Sequence, residues 1–264
     1  MSDLLAHMLP IVGIFLISSA IFFLASEVGY FWGKRRSKQK KSLENTATGI
    51  LTGSILGLVS FLLAFSFGFA ASHYTERRGL VLEEANAIGT AYLRAELLPQ
   101  AATETLQRQL VAYTETRFDL TSRRVAGEEY KKFVQEAEKV HAETWALVAE
   151  IARENPTPVN ALVVAAVNQV IDLHGVRVAV GTRYKIPIPI WVALFVVSSI
   201  ALATTGYRYG ASFKSRPELL PGMVLAFACV ITLIADLNSP RLGVLTADQT
   251  PMKEVLLMMK ANAF

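Results

Sequence analysis

The chain is 264 residues long, with a formal net charge of +4 and a mean hydropathy of +0.37. Hydrophobic residues make up 52% of it and there are 16 glycines, an apolar share above that of soluble domains, and the 18% that is charged leaves four long stretches empty. This excludes a disordered chain and argues against a soluble enzyme, and the single cysteine, Cys229, excludes a disulfide framework and a multi-thiolate metal site.

A helix rises about 1.5 Å per residue, so crossing about 30 Å of hydrocarbon takes about 20 apolar residues. Leu4 to Ser26 meets that requirement, interrupted only by His7 and Pro10, and Tyr30, Phe31 and Trp32 follow as an interfacial belt. No Lys or Arg precedes it and no small-residue cleavage site follows a short apolar core, so it reads as an anchor rather than a signal peptide. Six basic residues come next: Lys34, Arg35, Arg36, Lys38, Lys40 and Lys41. The positive-inside rule makes this basic loop, residues 33–44, cytoplasmic and puts the N-terminus outside. The second span carries no charge from Asn45 to Ser72.

From His73 the pattern becomes that of a polar helical insert with few Gly or Pro residues. The spacing predicts that the second span continues as one long helix to Leu98, with Val81, Ala85, Ile88, Tyr92 and Ala95 on one face, until Pro99 ends it. Small residues at Ala85, Ala87, Gly89 and Ala91 allow another helix to come close. Further helices are predicted over about 102–124, over 128–155 with apolar contacts at Phe133, Val140, Trp145 and Leu147, and over 159–180, which is much more apolar. The insert holds 14 basic and 15 acidic residues and so does not vote on orientation. A third span is charge-free from Ile186 to Tyr207 and a fourth from Leu219 to Ala235, and the loop between them carries Arg208, Lys214 and Arg216 on the same side as the first basic loop.

The expectation is an all-α integral membrane protein with four transmembrane helices. Residues 1–72 hold the first two, 73–185 a helical extramembrane insert, 186–240 the last two and 241–264 a C-terminal tail. As a multi-pass membrane protein it is expected to hold its N-terminus and insert outside the cytoplasm, with the lipid bilayer as its first partner.

Sites of chemistry are scarce. Histidines 7, 73, 141 and 174 lack the spacing of a helical zinc pair, and there is no phosphate-cradling glycine loop, dinucleotide fingerprint or nucleophile elbow. No catalytic residue, cofactor or metal is expected. Nine of the 26 Lys and Arg residues lie in the two short loops, where orientation and anionic lipid explain them better than nucleic acid does.

The second span carries two stripes. Gly49, Gly53 and Gly57 recur every fourth residue and read as a helix-packing face, and Phe61, Phe65 and Phe69 recur at the same spacing about 120° away. The rings either pack or face lipid, or they line a pore around a symmetry axis as a hydrophobic constriction that gates by dewetting, with Ser60 and Ser66 as polar lining or packing groups. Two charged clusters frame the insert: Glu76, Arg77 and Arg78 after the second span, and Asp172, His174 and Arg177 before the third, while Glu83, Glu84, Asn86 and Arg94 ride the long helix. They read either as ion pairs near the interface or as a vestibule that concentrates ions. Asp236, ending the fourth span, pairs with Arg241 or caps a neighbouring turn.

The run Leu63 to Ala70, the stretch Glu83 to Arg94 followed by Leu98-Pro99, the residues Asn168, Ile171, Asp172, His174, Arg177 and Ile186-Pro187, and Asp236 to Pro240 with Gly243 together resemble a bacterial membrane family called bestrophin-like, or DUF4239. The resemblance covers about residues 45 to 257 and marks Glu84, Asn86, Arg94, Asp172, Arg177 and Asp236 as its polar residues. It implies a homo-oligomeric ion channel, anion-conducting and pentameric as in true bestrophins, with the second helix supplying rings to a narrow neck and inorganic ions as partners. Two features of true bestrophins do not carry over. They keep their helical region in the cytoplasm, opposite to the orientation the basic loops give here, and the acidic cluster of the animal calcium clasp is missing. The competing readings are a non-conducting scaffold or sensor whose insert binds a partner, and a membrane enzyme that would have to use Glu84, Asp172 or His174.

Overall fold

The structure, a computed structural model, describes residues 2–36, 43–122, 127–212, 220–240 and 243–262. It contains eight helices, α1 (Ser2–Arg36), α2 (Leu43–Ala95), α3 (Gln100–Ser122), α4 (Gly127–Glu154), α5 (Pro158–Thr182), α6 (Ile188–Ser212), α7 (Leu220–Asn238) and α8 (Thr250–Ala261), and no strand among the described residues. The protein is all-α; α3, α4 and α5 start and stop within about two residues of the expected bounds, whereas α2 ends at Ala95, short of the expected Leu98, and α1 runs on to Arg36. Local signals explain the ends. Beyond α2, the Thr103 hydroxyl donates to the freed carbonyl of Ala95 at 2.8 Å. Thr157 caps α5 by accepting from the Asn160 N–H at 3.2 Å, with Pro158 in the first turn, where its missing N–H costs nothing.

Among the described residues five helices are long and apolar enough to cross a membrane: Met8–Arg36, Thr48–Ala95, Pro158–Thr182, Ile188–Ser212 and Leu220–Asn238, one more than the four expected from the sequence, the addition being α5. The α2 helix has 53 residues and so runs roughly 80 Å, more than twice the hydrocarbon thickness. Its charge-free part ends at Ser72, and the rest lies beyond a single span.

The chain divides into two compact units, Met1–His73 with Lys185–Leu245, and Tyr74–Tyr184 with Thr246–Phe264. In the first, α1, α6, α7 and the N-terminal half of α2 turn large apolar side chains outward, among them Leu16, Phe23 and Val28 of α1 and Val192 and Val196 of α6. Such faces suit apolar surroundings rather than water. The inward contacts rely on small residues. A Cβ placed on Gly29 or Gly33 of α1 would fall onto the carbonyl oxygen of Ala203 or Tyr207, and one on Gly206 or Gly210 of α6 onto that of Ser26 or Tyr30. The two helices thus present glycine pairs four residues apart to each other's backbone, the geometry by which membrane helices associate without a hydrophobic driving force. The Phe22 ring sits beside the contact, with centroids 5.7 Å from Phe195 and 6.5 Å from Phe227.

The end of α7 is tied down by its own side chains. The buried Asp236 carboxylate accepts from the Val244 N–H at 2.9 Å and from that of Leu245, so it caps the following loop; Arg241 lies outside the described residues. Gly243 has φ +114°, and a Cβ there would strike the same carboxylate, so no other residue fits. Asn238 Oδ1 accepts from the Ile186 N–H at 2.9 Å, which joins the end of α7 to the entry of α6.

In the second unit, α3, α4, α5, α8 and the C-terminal half of α2 bury one continuous core containing Ile88, Ala91, Leu106, Leu110, Val148, Val163, Val167, Met252 and Met259. The face predicted for the long helix, Val81, Ala85, Ile88, Tyr92 and Ala95, is buried. On α4 three of the four expected contacts pack, Val140 and Leu147 against this core and Phe133 against Leu120 and Tyr130, while Trp145 is exposed; its most deeply buried stripe is Tyr130, Ala137, His141, Thr144 and Val148. The C-terminal tail, 241–264, contains α8, whose Met252, Leu256 and Met259 recur at helical spacing and pack into this core; the Tyr92 hydroxyl donates to the Met259 carbonyl at 3.0 Å.

Replacing Gly206 with Ala is expected to cost about 1–3 kcal/mol, since the added methyl has only a carbonyl to push against. A lowered melting temperature in detergent checks this, and an unchanged one contradicts the α1–α6 contact.

Candidate functional site

Two groups of side chains stand out, one in each unit. The first lies on α2. Its buried stripe in the first unit is Thr52, Val59, Leu63, Ser66 and Ala70. At 100° per residue the opposite face carries Gly57 and Phe61. Phe61 and Phe65 are 65% and 61% exposed and stack with centroids 6.4 Å apart and planes 20° from parallel. Phe69 is less exposed and lies 4.4 Å from the His73 ring. Ser66 sits on the buried stripe, away from the phenylalanines. Within the chain, a Cβ on Gly53 or Gly57 would meet nothing within 4 Å, and one on Gly49 would meet the Arg208 guanidinium at 3.2 Å. The close helix contact inside this unit is therefore made by Gly29, Gly33, Gly206 and Gly210, and Gly53 and Gly57 of α2 face outward.

The second group is a polar layer across the helical bundle of the other unit. Glu84 falls on the apolar face of α2, three residues after Val81 and four before Ile88, and has no exposed surface. Tyr113 and Arg117 continue the inward stripe of α3 begun by Leu106 and Leu110, His141 belongs to that of α4, and His174 and Arg177 follow Val163, Val167 and Val170 on α5. The helical phase of four helices thus brings six polar groups together.

The carboxylate is the hub. The Tyr113 hydroxyl donates to Glu84 Oε1, Arg177 Nη1 donates to Oε2, and Arg117 reaches Oε2 through Nη2 and Oε1 through Nε, both at 3.4 Å. His174 Nδ1 lies 3.1 Å from the Tyr113 oxygen. The His141 ring is 4.4 Å from the Tyr113 ring. Burial alone would raise the Glu84 pKa, but Arg117 and Arg177 outweigh it, helped by the Tyr113 hydrogen bond, and hold it down at about 2. Burial and the neighbouring carboxylate push the Tyr113 phenol well above its ordinary value, so it stays a donor. The layer can hold one charge-assisted network; it offers no open carboxylate for acid–base chemistry on a substrate.

Of the six polar residues that the resemblance marks, the structure brings together Glu84 and Arg177, and His174 of the same charged cluster joins them. Asn86 and Asp172 are exposed, the latter accepting from Asn168 Nδ2 at 3.0 Å, and Arg94 Nη1 donates to the Leu162 carbonyl at 3.0 Å. Asp236 belongs to the loop cap in the first unit. Tyr113, Arg117 and His141 were not marked as site residues, although each is a polar residue in phase with an apolar stripe, which is the signal that finds them. No cluster of three or more His, Cys, Asp or Glu able to hold a metal occurs among the described residues.

A family model described as Bestrophin-like domain matches residues 20–252. A mutant of a bacterial Bestrophin homolog from Klebsiella pneumoniae is similar in structure, with a TM-score of 0.66 at 13% identity over 94% of this chain and 97% of that one. The homolog from the same organism solved by Zn-SAD phasing gives 0.62 at 14% identity, covering 96% and 97%. A further solved structure, described as a membrane protein, gives 0.63 at 14% identity with the same coverage. No curated protein matches.

Removing one partner from a buried ion pair strands the other. Glu84→Gln is expected to lose about 3–5 kcal/mol, and Tyr113→Phe about 1.5–3 kcal/mol, as for a hydrogen bond to a charged group. Thermal melting of the purified chain orders the two variants, and a Glu84→Gln protein as stable as wild type contradicts the network.

Proposed function

The chain belongs to the Bestrophin-like family, and from that premise we propose that it is a homo-oligomeric ion channel, anion-conducting, with α2 lining the pore. The observation that carries this reading is the outward face of α2. Phe61 and Phe65, exposed and stacked, lie on the side of α2 away from its buried stripe, and Gly53 and Gly57, with open space beside them, are also exposed, Gly53 about 120° around the helix from Phe65. Symmetry copies of such a face would place Phe61, Phe65 and Phe69 as rings around an axis, a constriction that excludes water when narrow. The open glycines would let neighbouring copies approach, in a pentamer by analogy with bestrophins. Four spans, α1, the first part of α2, α6 and α7, cross the bacterial inner membrane in this reading. We assign α5 to the extramembrane insert because Arg177 and His174 are committed to a layer shared with the polar helices α3 and α4. The short basic loops favour an insert outside the cytoplasm and the bestrophin resemblance favours one inside; cysteine labelling between residues 100 and 150 chooses between them.

A second reading, a non-conducting scaffold or sensor, is favoured by the balanced charge of the insert and its closed core. Planar-bilayer recording separates the two. The channel reading predicts conductance above control, raised severalfold by Phe65→Ala, and silence over a range of salts and voltages overturns it. Gly53→Leu is expected to dissociate the oligomer in native mass spectrometry, and an intact assembly would remove that face from the interface.

A further inference from the structure

Two imidazoles in the polar layer have no part in the proposed conduction. His141 and His174 are both more than nine-tenths buried, their rings meet edge to face with centroids 4.8 Å apart, and Nε2 of each lacks a hydrogen-bond partner. The protons around Tyr113 fix the form of His174. The one phenolic hydrogen goes to Glu84, so the contact to His174 requires Nδ1 to be the donor, which leaves Nε2 a bare lone pair. A proton on that Nε2 would meet no acceptor and would add a charge beside Arg117 and Arg177, so the closed layer keeps the ring neutral. The groups facing the two rings are Glu84 from α2, Tyr113 and Arg117 from α3 and Arg177 from α5, with Tyr130 of α4 acting on Arg117. With both imidazoles neutral, two guanidiniums against one carboxylate already leave the layer one positive charge. The α4 helix brings no formal charge to this layer and meets it through the His141 ring.

We propose that the layer is an acid switch. When His141 and His174 take up protons, the added charge beside Arg117 and Arg177 drives α4 out of the layer and opens the bundle of the insert. Burial holds the His141 imidazole down at about 4 from an ordinary 6.5, with Arg117 acting in the same direction against the pull of Glu84. A depressed value means that folding favours the neutral ring. The stability it contributes is full above about 6.5 and is lost as the pH falls through about 4, well before Glu84 titrates at about 2. The switch belongs to the second unit and stands whether or not the chain conducts.

Hydrogen exchange of the full chain in lipid nanodiscs, corrected for the intrinsic pH dependence, tests it. Peptides from α4 are expected to exchange at least tenfold faster at pH 4.5 than at pH 7, and the His141→Gln, His174→Gln double variant is expected to show no such rise. A wild-type α4 that stays protected, or an equal rise in the variant, overturns the proposal. Should the double variant fail to fold, nitrogen-15 spectra of the four wild-type histidines decide. Two imidazoles must remain neutral at pH 5.5 and gain protons together with the opening of α4. Four that titrate near 6.5 with α4 protected overturn it.

Discussion

A carboxylate with no exposed surface, placed between two guanidiniums, sets the terms on which the insert folds. Taking Glu84 out of water is affordable only because Arg117 and Arg177 arrive from two other helices and Tyr113 supplies a hydroxyl. Each of these groups lies near the middle of an otherwise apolar stripe. Sliding any one helix by a turn would leave its neighbours' stripe packed against Ala, Val or Leu but would strand the carboxylate. The alternating aliphatic layers tolerate several registers, and the polar layer accepts one. Stability of the bundle comes from its apolar core, and its uniqueness comes from this network.

The two units associate helices by different physics. In the first, the outward faces are apolar and suit a bilayer, where burying apolar surface gains little, and α1 and α6 meet by backbone proximity at glycine. In the second, helices with polar outer faces hide a hydrophobic core, as in a soluble bundle. The α2 helix takes part in both regimes, which explains why its first half is rich in Gly and Phe and its second half in Glu and Arg.

Much of this is legible in the chain. Charge-free stretches mark the apolar helices, Pro99 and Pro156 mark ends, and the stripe from Val81 to Ala95 gives the buried face of α2. What escapes is partnership. Periodicity gives the phase of a helix but not which carbonyl faces it, so the run Gly49, Gly53, Gly57 outshone the shorter pairs at Gly29, Gly33 and Gly206, Gly210 that make the close contact. Glu84 is visible as a charge in an apolar stripe, yet Arg117 stands 33 residues away and Arg177 93, and nothing local joins them. The short α8 escapes because its three buried residues span too few turns to stand out from a tail.

The glycine contact between α1 and α6 also bears on how the protein is made. Gly29 faces Ala203, so α1 must wait for roughly 170 further residues before its partner exists. Until then the Ser18 and Ser26 hydroxyls, buried in the finished fold, stand in hydrocarbon or against whatever insertion machinery shelters them. The Ser26 hydroxyl meets that delay by donating to its own helix, at the Phe23 carbonyl. Biogenesis rather than equilibrium stability is therefore the stage at which the first helix is most exposed to misassembly, and its glycines are matched to a partner that the ribosome has yet to deliver.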